Sequence, residues 1–174
     1  MPTPTPTTTI DRRYGVPEAE PTPWEAVEQR LTGAEIFWAS TVRPDGRPHV
    51  TPLLAVWQDG GLHICSGAGE RKTRNIAANP DVVLTTGTPD LHGGTDVVVE
   101  GRAERVTDPG ALDALAAAWE DKYGSDWHFA VVDGGFQGGG GLAHVYRVEP
   151  ATVFAFGKEP YSQTRYRFRP RAEL

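Results

Sequence analysis

The most constraining feature of this chain is the punctuation of its middle, where strand-length apolar runs alternate with turns too short to hold a crossover. Ile36 to Val42 reads as a strand, Pro44-Asp45-Gly46 as a turn and Pro48 to Trp57 as the returning strand. Asp59-Gly60-Gly61 then turns the chain into a further strand from Leu62 to Ser66. Such turns join antiparallel neighbours, because parallel strands need a long connection. Strands resume at 81–87 and 95–106, and two more are read at 143–149 and 151–157. The expected fold is therefore mainly β (α+β): an antiparallel barrel of about six or seven strands with short peripheral helices.

Three helices are expected. Thr22-Pro23-Trp24-Glu25 reads as a helix start, with Thr22 as N-cap, Pro23 at the first helical position and Glu25 closing a capping box. Trp24, Val27 and Leu31 follow at helical spacing. Residues 70–79 read as a second helix that stops at Asn79-Pro80. A third, from about Pro109 to Tyr123, carries Leu112, Leu115, Trp119 and Tyr123 on one face. Residues 1–20, rich in Pro and Thr and without apolar period, are expected to be a disordered tail. That leaves one domain over 21–170. The glycine-rich run 134–141 reads as a flexible loop, with a lid over a ligand as a further reading, and 158–170 as a polar and aromatic tail.

Composition narrows the partners. A net charge of −6 argues against nucleic acid, whose binders place cations on phosphates. Cys65 is the single cysteine, so no intramolecular disulfide forms, which fits a reducing compartment. Met1 to Pro6 lacks the apolar run of a signal peptide and no stretch approaches membrane-spanning length, so the expected location is cytoplasmic, away from the membrane. The five histidines are scattered without metal-ligand spacing, and no metal site is expected. Cys65 reads most simply as a small apolar strand residue.

The segment Ser66-Gly67-Ala68-Gly69-Glu70-Arg71-Lys72-Thr73-Arg74-Asn75 carries the chemistry. A strand ends, a small loop follows, and a helix opens with Arg71, Lys72 and Arg74 near its start. Cations are disfavoured at that end by roughly 0.3–1 kcal/mol each, because the unpaired N–H groups and the helix dipole favour anions. A bound phosphate reverses the sign, accepting those N–H groups while pairing with Arg71 and Lys72. The alternative is that the cations point into water. Val50 to Trp57 is apolar on both faces yet interrupted by Pro52, which suggests either that something other than a strand receives its backbone groups or that it lies at a sheet edge. The stretch from Gly157 to Phe168 mixes aromatics with Gln163, Arg165 and Arg167, which suits a planar anionic ligand or a docked tail at a dimer contact.

Taken in order, Val42-Arg43-Pro44-Asp45-Gly46-Arg47-Pro48-His49-Val50-Thr51-Pro52, Gly69-Glu70-Arg71-Lys72 with Asn75, Asn79-Pro80 and Val99-Glu100-Gly101-Arg102-Ala103 resemble the pyridoxamine 5′-phosphate oxidase-like superfamily of flavin- and deazaflavin-binding split barrels. The resemblance implies a split β-barrel homodimer with FMN or coenzyme F420 (a deazaflavin) at the subunit interface. It implies that Arg71 and Lys72 hold the cofactor phosphate, with Asn75 in the same motif. His49, Val50, Thr51, Pro52 and Leu53 are then expected along the ring system and side chain, with Cys65 and Ser66 beside them, and Gln163, Arg165 and Arg167 completing the pocket. The implied function is a flavin- or deazaflavin-dependent oxidoreductase acting on a small molecule, or alternatively a non-catalytic carrier or sensor of the cofactor. Gln163-Thr164-Arg165 stands where the oxidase proper has an Arg-x-His pair, which argues against pyridoxamine phosphate as the substrate.

Overall fold

The computed structural model of the chain describes residues 5–169. The strands are β1 (Thr7–Gly15), β2 (Phe37–Val42), β3 (Pro48–Leu53), β4 (Ala55–Gln58), β5 (Gly61–Gly67), β6 (Asp81–Thr86), β7 (Thr95–Val106), β8 (Ala130–Val132), β9 (Gly135–Gly138), β10 (Gly141–Lys158) and β11 (Tyr161–Arg167). The helices are α1 (Trp24–Gly33), α2 (Arg71–Ala78) and α3 (Pro109–Tyr123), the last followed by a 3₁₀ turn, Ser125–Trp127.

Every strand pair is antiparallel. β2 pairs with β6, β6 with β7, β7 with β10, β10 with β5, and β5 with β4. β4 runs directly out of β3 through Leu54, and β3 returns to β2. The ring is thereby closed, with β3 and β4 acting as one bent strand whose first half faces β2 and whose second half faces β5. This is an antiparallel split β-barrel. Its interior is filled by Phe37, Leu62, Ile64, Leu84, Val99 and Val153, and α1 adds Val27 and Leu31 to the same core. Burying each such side chain contributes about 1.5–3 kcal/mol. A second core lies outside the barrel, where Leu112, Leu115 and Trp119 of α3 pack on Val56, Phe136 and Val145.

Several expectations are corrected. The N-terminal segment is not a tail from residue 7 onward, because β1 pairs with β11 from Thr7↔Arg167 to Gly15↔Ser162. Its side chains mostly face solvent, so no apolar period betrays it; backbone pairing and the β-branched run Thr7 to Ile10 make the strand. Residues 1–4 and the domain end expected at 170 lie outside the described residues. At α1 the N-cap is Pro23, without a side-chain cap. Thr22 is instead docked to β11, its N–H donating to Thr164 Oγ1 at 3.0 Å and its carbonyl accepting from the Tyr166 hydroxyl.

The glycine-rich run is a hairpin, with β9 pairing to β10 and Phe136 fully buried. Gly135 is there because a Cβ would fall 2.4 Å from the Ala143 carbonyl oxygen, too close for any other residue. The strands expected at 143–149 and 151–157 are one, β10, with an irregularity between Pro150 and Thr152. The expected C-terminal tail includes β11, which lies between β10 and β1. The strand expected from Pro48 to Trp57 breaks at Leu54, and its β3 half alternates exposed and partly buried instead of being covered on both faces. No helix among the described residues is long and apolar enough to cross a membrane.

Candidate functional site

The ladder between β4 and β5 ends at Ala55↔Ile64. One step further on, β3 has already turned away to β2, so Leu53 and Leu54 diverge from Cys65, Ser66 and Gly67. The edge of β5 facing this cleft has no strand to pair with. A cavity of about 420 Å³ occupies the cleft, within the usual range for a small-molecule site. Leu53, Cys65, Ser66 and Lys72 form one side. Trp127, His128 and Phe129 form the other, and the backbone of Gly138 to Gly141 runs along it. The barrel's split is therefore what makes the pocket.

The junction from β5 to α2 is tied down by polar groups. Thr73 Oγ1 donates to the Gly67 carbonyl at 2.7 Å and lies 2.7 Å from Ser66 Oγ. Glu70, the N-cap residue of α2, accepts from the Gly67 N–H at 2.8 Å and is ion-paired with Lys72. Burial opposes ionisation of Glu70, but these two partners outweigh it and hold the carboxyl below its usual range. Cys65 is a neutral thiol, since burial pushes it up to about 11 despite Lys72 nearby. It has no character of a nucleophile.

Lys72 also belongs to a basic corner next to the cavity. Burial, and then the charges of Arg43, Arg71 and Lys72, lower the pKa of His49. Three cations from the β2–β3 turn and the start of α2 thus act on one histidine of β3. Arg43 and Arg71 make no ion pair among the described residues. Asn75 is fully buried, and its Nδ2 donates to Thr41 Oγ1 at 2.9 Å, which in turn donates to the His49 carbonyl at 3.4 Å. Arg43 Nε, Thr51 Oγ1 and Asn75 Oδ1 are buried without a hydrogen-bond partner. Groups of this kind are costly to leave unsatisfied, so the corner is built for a polar guest. A phosphate-bearing planar cofactor fits the whole arrangement: cations and unpaired polar atoms at one end, an apolar and aromatic cleft at the other.

Residues 23–156 match the sequence model of the pyridoxamine 5′-phosphate oxidase family, which covers most of the chain. The chain belongs to the pyridoxamine 5′-phosphate oxidase family. A curated pyridoxine/pyridoxamine 5′-phosphate oxidase from Pseudomonas entomophila is 38% identical over 81 residues, 46% of this chain. The match spans only 37% of that relative. Among solved structures, a heme binding protein from Mycobacterium smegmatis superposes with a TM-score of 0.64 at 18% identity, covering 84% of this chain and 58% of that one. An F420 reductase superposes with a TM-score of 0.56 at 25% identity, covering 72% of this chain and 94% of that one.

The residues that the family resemblance singles out fall in four places here. Leu53, Cys65, Ser66 and Lys72 line the cavity, and His49, Thr51, Arg71 and Asn75 belong to the basic corner. Val50 and Pro52 instead lie on the outer face of the sheet. Registers carry a row from Pro52 through Trp38, Thr85, Val98 and Phe154 to Arg165, and a parallel row from Val50 through Ser40, Val83, Glu100 and Thr152 to Arg167. Gln163 and Arg165 line a separate 230 Å³ cavity with Asp11, Arg13 and Phe154. One chain does not bring them to Lys72.

Sequence reasoning missed Arg43, Glu70, Trp127, His128 and Phe129 as site residues. Arg43 and Glu70 stand inside the motifs quoted for the family and were within reach. The other three carry no local signal, since the 3₁₀ turn after α3 alone brings them to the cleft.

Proposed function

We propose that this chain binds FMN or coenzyme F420, with the phosphate in the corner of Arg43, Arg71 and Lys72 and the ring system in the cleft, and that it is an oxidoreductase acting on a small molecule. The observation that carries this reading is that Lys72 belongs to both places. It lines the 420 Å³ cavity and it is one of the cations acting on His49. When bound, such a cofactor supplies hydride chemistry, which the protein need only position. Arg43 and Arg71 pair the phosphate, Lys72 turns to it from Glu70, and Leu53 and Leu142 cover the ring against water. Each charge pair at about 4 Å is worth on the order of 4 kcal/mol before desolvation, at an effective dielectric near 20. The F420 reductase among its structural neighbours supports the reductase reading.

The functional unit is a homodimer. The outer row of Pro52, Trp38, Val98 and Phe154 is largely apolar, with Trp38 50% exposed and Val50, in the parallel row, 52% exposed. The rows end in Arg165 and Arg167, so a second copy seated on this face is the source from which Gln163, Arg165 and Arg167 reach a cofactor.

Titration of the purified protein with FMN and with F420, followed by absorbance and fluorescence, tests the reading. The parent is expected to bind one of them, and Arg71→Ala with Lys72→Ala to weaken that binding at least about a hundredfold, in line with loss of two charge-assisted contacts. Arg43→Ala is expected to weaken it less. Equal binding by parent and double variant rejects the corner. The heme binding protein with the same fold supports a second reading, a carrier that binds without turnover; heme titrated in the same way, and binding without oxidation of any reductant, would favour it.

A further inference from the structure

β1 and β11 pair regularly from Thr7↔Arg167 to Ile10↔Thr164, and the register then slips. By Gly15↔Ser162, four residues of β1, Asp11 to Tyr14, stand against Gln163 alone. Extra residues in one strand of a pair bend it out of the ladder. At this bend lies the cavity of about 230 Å³ that holds Asp11, Arg13, Phe154, Gln163 and Arg165 in its lining. Every lining residue except Phe154 falls outside the stretch 23–156 that matches the family. The cavity is separate from the cleft and from the basic corner, with no lining residue in common.

Its charges are unevenly satisfied. Asp11 is held by Arg13: Oδ1 accepts from the Arg13 N–H at 3.1 Å and from Nε at 2.9 Å, and Oδ2 accepts from Nη2 at 2.7 Å. These bonds, and then the charges of Arg13 and Arg165, hold its pKa at about 2, so it is ionised throughout the neutral range. Arg165 makes no ion pair among the described residues. Its guanidinium is a fork that takes a carboxylate at two points. Gln163 Nε2 gives one hydrogen to the Tyr161 hydroxyl at 2.9 Å and has a second to donate. The half-buried ring of Phe154 offers a flat wall. Two guanidiniums against one carboxylate leave the cavity one positive charge in excess.

We infer that this cavity binds a small, flat monocarboxylate, its carboxylate on Arg165 and Gln163 and its body on Phe154, and that Asp11 sets the charge the site accepts. One negative charge balances the excess. A phosphate ester brings two, and Asp11, which Arg13 fixes in place, repels the second. Asp11 is thus a specificity residue that acts by repulsion, and Arg13 is its positioning residue. Thr9 continues the outer row beyond Arg165, and β1 is the last strand of the sheet, so the cavity lies at the rim of the face proposed for the homodimer. The site needs no cofactor in the cleft, and it stands or falls apart from the reading above.

Two flat fluorescent probes test the site on the full chain. Coumarin-3-carboxylate carries one negative charge, and 4-methylumbelliferyl phosphate carries two above about pH 7. Fluorescence anisotropy reads the binding of each, and far-ultraviolet spectra check that every variant is folded. The parent is expected to bind the carboxylate at least about tenfold more tightly than the phosphate ester. Arg165→Gln is expected to weaken the carboxylate about tenfold, as for loss of a two-point charged contact. Asp11→Asn is expected to strengthen the carboxylate about threefold and the phosphate ester about tenfold, because the gain scales with the charge of the ligand. Asp11→Glu is expected to keep the parent's preference. No binding of coumarin-3-carboxylate by the parent, a parent preference for the phosphate ester, or unchanged binding in Arg165→Gln or Asp11→Asn overturns the inference. FMN and F420 titrated on the same parent judge the cofactor reading separately. Binding of the carboxylate without either cofactor leaves this site standing, and binding of a cofactor without the carboxylate removes it.

Discussion

The hydroxyl of Tyr123 lies 2.8 Å from the carbonyl oxygen of Ala55 and accepts from the Ala55 N–H at 3.1 Å. Ala55 is the first residue after the kink at Leu54, where the chain leaves β2 for β5. Lys122 Nζ donates to the same carbonyl at 2.9 Å. The end of α3 thus supplies, from side chains, polar contacts at the point where the barrel parts, and the same helix contributes Trp119 to the lining of the cleft.

Removing that clasp has a measurable cost. Tyr123→Phe keeps the ring but strips the hydroxyl from a partly buried backbone pair. We expect a loss of about 1–3 kcal/mol in unfolding free energy, the usual penalty for an abandoned buried partner. The midpoint of urea unfolding reads it, and an unchanged midpoint would mean that water replaces the hydroxyl freely.

A second expectation concerns acid. His63 is 5% exposed in β5, and burial, then the nearby charge of Arg147, lowers its pKa from an ordinary 6.5 to about 4. Between those values the unfolded chain holds a proton that the folded chain does not. Stability therefore falls as pH drops from about 6.5 to about 4, by about 3 kcal/mol for this group in full. Unfolding curves at several pH values, compared with those of His63→Gln, isolate it; parallel curves for the two proteins would refute the assignment.

The third follows from the outer face. Trp38→Glu places a charge on the exposed apolar row without touching the barrel interior. It should convert the proposed homodimer to a monomer of unchanged fold, seen as a halved mass in light scattering with an unaltered far-ultraviolet spectrum. Cofactor affinity should fall in parallel, because Arg165 and Arg167 would no longer reach the corner. A parent that is itself monomeric sinks the dimer.

Much of this architecture could be read before any coordinates. β7 and α3 have the expected bounds, 95–106 and Pro109–Tyr123, because Val97 and Val99 alternate cleanly and Leu112, Leu115 and Trp119 keep a helical period. β1 could not be read, since a strand held by its backbone on β11 needs no apolar pattern. β9 was hidden because its glycines, needed for close approach to β10, look like a flexible loop. The site divides in the same way. Arg71 and Lys72 were legible because cations at a helix start contradict the dipole, whereas His128 reaches the cleft only because the chain turns at Gly124.

The bend at Leu54 has one more implication. Around the rest of the barrel, neighbouring strands are held by hydrogen bonds that can open one at a time, as a zipper does. Between β3 and β4 the joint is made of peptide bonds, which do not fray. The cleft therefore cannot widen by parting at Leu54, and that side acts as its fixed jamb.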